Sequence, residues 1–130
     1  MKEISPRILF LFLIFPLLAA TSGCVAVVAG GAAAGGTAYV MGELKTDVEA
    51  TPKQLRSAIV DGTQSLGLRS ISGSGDELQG NYVYRTAADK KVTVRYDMVT
   101  DKVAELRIRV GTFGDEAMSM RIHEAITRRL

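Results

Sequence analysis

A chain of 130 residues with 16 basic and 14 acidic side chains is long enough for one compact domain and is almost neutral. Its small net charge gives no general attraction for nucleic acid, and the absence of Trp removes the usual platform for stacking sugars. The single Cys and single His argue against a disulfide framework and against a zinc site, which takes three or four suitably spaced ligands. We therefore expect no metal, no cofactor and no nucleic-acid partner.

The N-terminus has the organisation of an export signal. Lys2 and Arg7 form a positive region, residues 8–18 are an apolar run, and small residues lead to Cys24. The run is shorter than the roughly 20 apolar residues that cross a bilayer. The pattern predicts a bacterial lipoprotein signal peptide over residues 1–23. Cleavage between Gly23 and Cys24 would make Cys24 the new N-terminus, its thiol lipidated and palmitate among its acyl chains.

One position departs from the usual lipobox. Ser22 and Gly23 fit it, but Thr21 stands where Leu, Val or Ile is expected. Ordinary cleavage after Ala20 or Gly23 would instead leave a soluble protein. Val25, rather than Asp, follows the cysteine, and by resemblance to Gram-negative sorting this favours the outer membrane, with the domain facing the periplasm. Cleavage before the cysteine removes 23 of the 130 residues and leaves 107.

Residues 24–38 are predicted to be the lipidated cysteine and an Ala/Gly-rich tether. The alternative is a helix that presents Gly31-x-x-x-Gly35 as a close-packing face for self-assembly in the membrane.

From Tyr39 the composition becomes that of a globular domain, predicted over residues 39–130. Alternation over 43–50 predicts a strand with Leu44, Val48 and Ala50 directed inward.

Several signals together predict a helix after this strand. Thr51 can cap it, Pro52 occupies its first position, and Gln54 completes a capping box. Ala50 and Leu55 can form a hydrophobic staple. Gly67 is predicted to end the helix in a left-handed cap, with the next residue, Leu68, packing back. The apolar stripe is Leu55, Ala58, Ile59, Gly62 and Leu66.

Four turn-separated runs follow and predict antiparallel strands, because short connections join antiparallel neighbours. They cover residues 68–72, ended by Gly73-Ser74-Gly75, and then 77–85, 91–98 and 103–110. The predicted inward residues are Leu78, Tyr82 and Tyr84; Val92, Val94, Tyr96 and Met98; and Ala104, Leu106, Ile108 and Val110.

A last helix is predicted over residues 115–129. Asp115 and Glu116 lie at its positive end, and the buried stripe is Met118, Ile122, Ala125 and Ile126. His123 lies off that stripe and is predicted to be a solvated surface imidazole. No Ser lies in a nucleophile-elbow sequence, so we expect no catalytic residue and no enzyme.

The predicted order is β-α-β-β-β-β-α, which defines an α+β fold. Since each strand and helix has one apolar side, the expected arrangement is a curved antiparallel sheet with two helices packed on one face. This order resembles the half-repeat of the TATA-box-binding fold and the helix-grip fold. Such likeness carries no function.

The opposite face of the sheet is predicted to gather Arg95, Arg107 and Arg109 among Asp97 and Glu105. The simplest interpretation is a solvated face of cross-paired charges, each pair contributing little. The functional interpretation is a shallow docking surface for a protein strand, a lipid headgroup or a cell-wall polymer.

Four segments resemble an uncharacterised family of small bacterial lipoproteins, classed as a domain of unknown function. They are Ser22-Gly23-Cys24, the Ala/Gly run to Gly36, the stretch 39–44 (YVMGEL) and above all the stretch 109–116 (RVGTFGDE). The resemblance implies a lipidated Cys24 and no further activity. In the last stretch we expect a sharp strand-to-helix turn with Phe113 stapled onto Met118, or alternatively a recognition role.

The sequence leaves two main functional hypotheses. The first is a non-catalytic envelope protein held to the membrane by its N-terminal lipid and acting through an envelope protein partner or other envelope contacts. The rival is a small-ligand carrier or hydrolase that uses a pocket between the sheet and the helices.

Overall fold

The structure, a computed structural model, describes residues 36–130. Residues 37–130 form one compact unit, which begins two residues before the predicted boundary at Tyr39. The signal peptide over 1–23, the cleavage junction Gly23–Cys24, the lipidated Cys24 and the Gly31–Gly35 face lie outside the described residues. Those interpretations stay predictions.

Within the described part, six antiparallel strands form one open sheet in the order β1-β2-β6-β5-β4-β3, and two helices join them. The predicted α+β class is confirmed. The strands are β1 (Ala38–Val40), β2 (Glu43–Glu49), β3 (Arg69–Gly75), β4 (Gln79–Arg85), β5 (Lys91–Met98) and β6 (Val103–Val110); the helices are α1 (Pro52–Ser65) and α2 (Glu116–Thr127).

Strand β1 is the one element that the pattern did not predict. It is only three residues long and pairs with β2, with Tyr39 opposite Leu44. Met41 and Gly42 join the two strands with φ angles of 52° and 80°. Positive φ at both central residues is the geometry of a type I′ hairpin turn, which matches the twist of the sheet.

Helix α1 begins and ends as predicted. The Thr51 side chain accepts from the Gln54 backbone, and the Gln54 side chain accepts from the Thr51 backbone, which completes the capping box. At the other end, Gly67 has a φ of 70°, and the Leu68 N–H donates to the carbonyl of Thr63. This is a Schellman cap, and it turns the buried Leu68 back toward the core.

The core lies between one face of the sheet and both helices. The predicted inward residues of β2, β5 and β6 are buried except Met98, which packs partly exposed against the core. In α2, Ile122, Ala125 and Ile126 are buried and Met118 is partly buried. Alternation identified the buried face because successive side chains of a strand point to opposite faces.

Two details of the hairpin between β3 and β4 differ from prediction. Strand β3 continues through Gly75, with a bulge between Ser70 and Ser72, and is exposed along its whole length as an edge strand. Strand β4 begins only at Gln79, so the expectation that Leu78 faces inward is wrong. Leu78 lies in the turn, 72% exposed, because Asp76 accepts its N–H there.

Candidate functional site

The open face of the sheet brings the three predicted arginines together. Arg95 and Arg107 are directly opposite on β5 and β6, and Arg109 lies opposite Thr93. Arg95 pairs with Glu43 at 3.0 Å. Arg107 pairs with Glu105 beside it and with Asp97 at 3.8 Å. The hydrogen bond to Glu105 raises the pKa of Arg107.

Arg109 is hydrogen-bonded to the backbone of the turn between β1 and β2. Its Nη2 donates to the carbonyl oxygen of Met41 at 3.0 Å, and its Nε is buried without a partner among the described residues. All three guanidinium groups are thus engaged within the domain. This arrangement favours the interpretation as a cross-paired face, and a docking role for it stays a prediction.

A second surface lies at the end of the sheet where β1 meets β2. We call it the tip and define it as residues 40–42 together with residues 111–114. A Cβ on Gly42 would lie 2.6 Å from the carbonyl oxygen of Phe113, and one on Gly114 would lie 2.6 Å from that of Gly42. The two segments therefore touch through their backbones, and the Tyr39 hydroxyl lies against Gly114. Only glycine fits at both points.

The tip unites the two most distinctive stretches of the sequence, which lie some seventy residues apart along the chain. The segment around Met41 belongs to the stretch 39–44, and Phe113 belongs to the stretch 109–116. Sequence reasoning treated them separately because neither contains a signal of pairing with the other. The β2–β6 pairing, in which Glu43 lies opposite Arg109, brings them together.

Large apolar side chains project from the tip into solvent. Phe113 is 93% exposed, Met41 is 89% exposed and Val40 is 51% exposed. The expected staple of Phe113 onto Met118 is therefore wrong. Asp115 is the N-cap of α2, since its side chain accepts from the Met118 backbone at 3.0 Å. A hydrophobic staple joins the residue before the N-cap to the fourth residue of the helix, which are Gly114 and Ser119 here, so it does not involve Phe113 or Met118.

Basic side chains surround the base of the tip. A cavity of about 720 Å³ beside Phe113 is lined by four cations, with Asp89 and Asp115 as its acidic members. Asp89 pairs with Arg85 at 3.1 Å, and Asp115 pairs with Lys90 at 3.4 Å. The four cations are Arg85, Lys90, Lys91 and Arg109.

The opposite end of the sheet has a different charge. Leu78 and Val99 are exposed there, at 72% and 65%, and acidic Asp76, Glu77 and Asp101 are their close neighbours in sequence. The Asp76 carboxylate accepts the N–H groups of Leu78 and Gln79, and these hydrogen bonds lower its pKa. Among these residues, carboxylates outnumber the cations Arg56 and Lys102 at this end, whereas cations outnumber carboxylates at the tip.

His123 is not the fully solvated imidazole that was predicted. It is partly buried on α2, and this burial lowers its pKa. Within residues 36–130, no group of three His, Cys, Asp or Glu side chains is arranged to hold a metal ion. In the same part of the chain, no helix is long and apolar enough for a membrane crossing.

The fold and its surfaces define a small α+β domain with an open, charged sheet face and an apolar tip. Residues 7–129 match the profile of DUF3568, a family of proteins of unknown function, and the chain belongs to this family. A comparison with curated proteins finds no match. The family assignment confirms the resemblance to an uncharacterised domain that the sequence suggested.

Proposed function

We propose that the protein is a lipid-anchored component of the bacterial cell envelope whose domain acts as a non-catalytic binding or structural module. The observation that carries this proposal is the order of Ser22, Gly23 and Cys24 directly after a short apolar run behind a basic N-terminus. Cys24 is the only thiol of the chain, so its use as an acyl acceptor leaves the domain dependent on its hydrophobic core.

The position of the domain along the chain is consistent with such an anchor. The compact unit begins at Thr37, which is 13 residues after Cys24. A fully extended segment of that length spans at most about 45 Å. The domain would therefore stay close to the bilayer surface, within reach of other envelope components.

The interior of the domain supports a binding or structural role over the rival carrier or hydrolase. Side chains from both helices and from the inner sheet face form one continuous cluster between them. Three cavities described for this part of the chain lie beside Tyr96, beside Phe113 and beside Thr51, and each includes exposed residues in its lining. A ligand in one of these three cavities would contact the surface of the domain.

Metabolic labelling with a clickable fatty acid tests the anchor directly. The wild-type protein is expected to be labelled and the Cys24→Ala variant is not. A Thr21→Leu variant, which restores the usual lipobox residue, is expected to raise the lipidated fraction. Equal labelling of wild type and Cys24→Ala, or an intact mass showing a free thiol, would overturn the proposal.

A further inference from the structure

The tip has the chemistry of a surface that meets an anionic membrane. We infer that the tip docks onto bilayers rich in anionic phospholipid, with Phe113 and Met41 entering the interfacial region and nearby basic side chains contacting headgroup phosphates. This inference rests on the proposed lipid anchor, which would hold the domain beside such a surface.

The exposure of the apolar residues is the first support. Phe113 and Met41 are about nine-tenths exposed at the extreme end of the sheet, on two turns that touch one another. Exposed apolar side chains that gather on adjoining turns beside polar residues form the kind of surface that meets a protein or a membrane. The turns are held from beneath by Arg109, whose guanidinium donates to the Met41 carbonyl.

The backbone at Met41 is the second support. Met41 has a φ of 52° at the first central position of a type I′ turn, where Gly, Asn or Asp is favoured. A long apolar side chain there costs conformational energy and gains no burial, since it is 89% exposed. Strain of this kind at an exposed position suggests that the side chain serves a contact outside the domain.

The charge around the tip is the third support and favours an anionic membrane as its partner. Lys90, Lys91 and Arg85 lie at the base of the tip, and Lys91 forms no ion pair among the described residues. Basic side chains beside an apolar wedge complement phosphate headgroups above an apolar interior. The exposed Leu78 and Val99 at the other end lie near three carboxylates and two cations, Lys102 and Arg56, so that end does not share the excess of positive charge found at the tip.

The place where the chain enters the domain is consistent with the tip facing the membrane. Strand β1 begins at Ala38 and runs toward the tip, so Thr37 is only four residues from Met41. A chain of four residues spans at most about 14 Å. A tether from the membrane would therefore join the domain near the end that carries the tip.

Because the chain contains no Trp, a single introduced Trp reports its own environment. The Phe113→Trp and Val99→Trp variants would be purified as acylated lipoproteins that begin at Cys24 and reconstituted into phosphatidylcholine vesicles, with or without phosphatidylglycerol. With phosphatidylglycerol, we expect the emission of Phe113→Trp to shift to the blue and to be quenched by brominated lipid. Val99→Trp, at the opposite end, should keep the emission of an exposed indole.

Charge variants test whether Lys90 and Lys91 contribute to docking. Adding Lys90→Gln or Lys91→Gln to the Phe113→Trp variant should lower the docking equilibrium roughly fivefold for each lysine, and added salt should act in the same direction. Lys102→Gln removes the same charge at the opposite end and should have no effect. Equal quenching with and without phosphatidylglycerol would overturn the proposed charge recognition.

Further outcomes separate this inference from the proposed function. If the purified protein is acylated but Phe113→Trp is quenched no more than Val99→Trp, the docking is wrong and the anchor stands. If Cys24 is unmodified, the anchor is wrong, and the same quenching still reports the docking. An unshifted emission of Phe113→Trp in phosphatidylglycerol vesicles would overturn the lipid assignment.

Discussion

The ring of Tyr96 lies across Gly80, its direct partner on the neighbouring strand. A Cβ on Gly80 would come within 2.8 Å of the Tyr96 Cζ atom, so no other residue fits beneath the ring. The Tyr96 hydroxyl continues past the glycine and donates to the Asp76 carbonyl at 2.7 Å. The packing of Tyr96 on Gly80 and its hydrogen bond to Asp76 connect the exposed hairpin between β3 and β4 to the rest of the sheet.

Gly80→Ala should lower the free energy of unfolding by about 1–3 kcal/mol, the usual cost of overpacking a core. Urea denaturation of the purified protein measures the change. In a Tyr96→Leu background the same substitution should cost less, because the ring that opposes the new methyl group is gone. Equal costs in the two backgrounds would show that Gly80 and Tyr96 do not interact in this way.

Tyr96→Phe should lower the free energy of unfolding by about 1 kcal/mol, since the hydrogen bond to Asp76 is lost. The Asp76 carbonyl keeps a second donor, Arg56 on α1, at 2.8 Å. Tyr82→Phe is the matched control, because the Tyr82 hydroxyl makes no hydrogen bond within residues 36–130. The same urea midpoint shift for both variants would contradict the assigned role of the Tyr96 hydroxyl.

Asp76 should contribute to stability against acid. Backbone hydrogen bonds from Gln79 and Leu78 lower its pKa in the folded state below the ordinary value of 3.8. A lowered carboxyl pKa stabilises the fold above pH 3.8, and this contribution is lost as the pH falls toward the folded-state pKa. Asp76→Asn should therefore flatten the acid limb of the stability profile, measured by thermal unfolding across pH. Asp101→Asn is the control, because no hydrogen bond to the Asp101 carboxylate is seen within residues 36–130. A parallel change in that variant would argue against this cause.

Met41→Asn should raise the free energy of unfolding by up to about 1 kcal/mol, because Asn tolerates the left-handed backbone that Met adopts in the turn. Chemical denaturation measures the change. Val40→Asn is the control, since Val40 is also an exposed apolar residue, at 51%, but lies in β1 and has no positive φ. Destabilisation by Met41→Asn would mean that the Met side chain supports the fold, which would remove one argument for its role at a membrane.

Local signals sufficed for much of the architecture. The capping box at Thr51, the left-handed cap at Gly67 and the alternation of β5 and β6 act within a few residues, so the sequence predicts helix bounds and buried faces well. The short connections after Leu68 likewise predict the antiparallel run from β3 to β6. The prediction that residues 1–23 are an export signal also rests on sequence alone.

Tertiary structure decided the features that depend on distant partners. Strand β1 is too short to be recognised without β2, and the pairing of β2 with β6 places Met41 beside the loop of Phe113. The same pairing engages Arg95 with Glu43 and Arg109 with the Met41 carbonyl. Hydrophobic periodicity indicates which face of a helix or strand is buried. A contact between two separate segments depends on the register in which their strands pair, and the sequence of one segment alone does not determine that register.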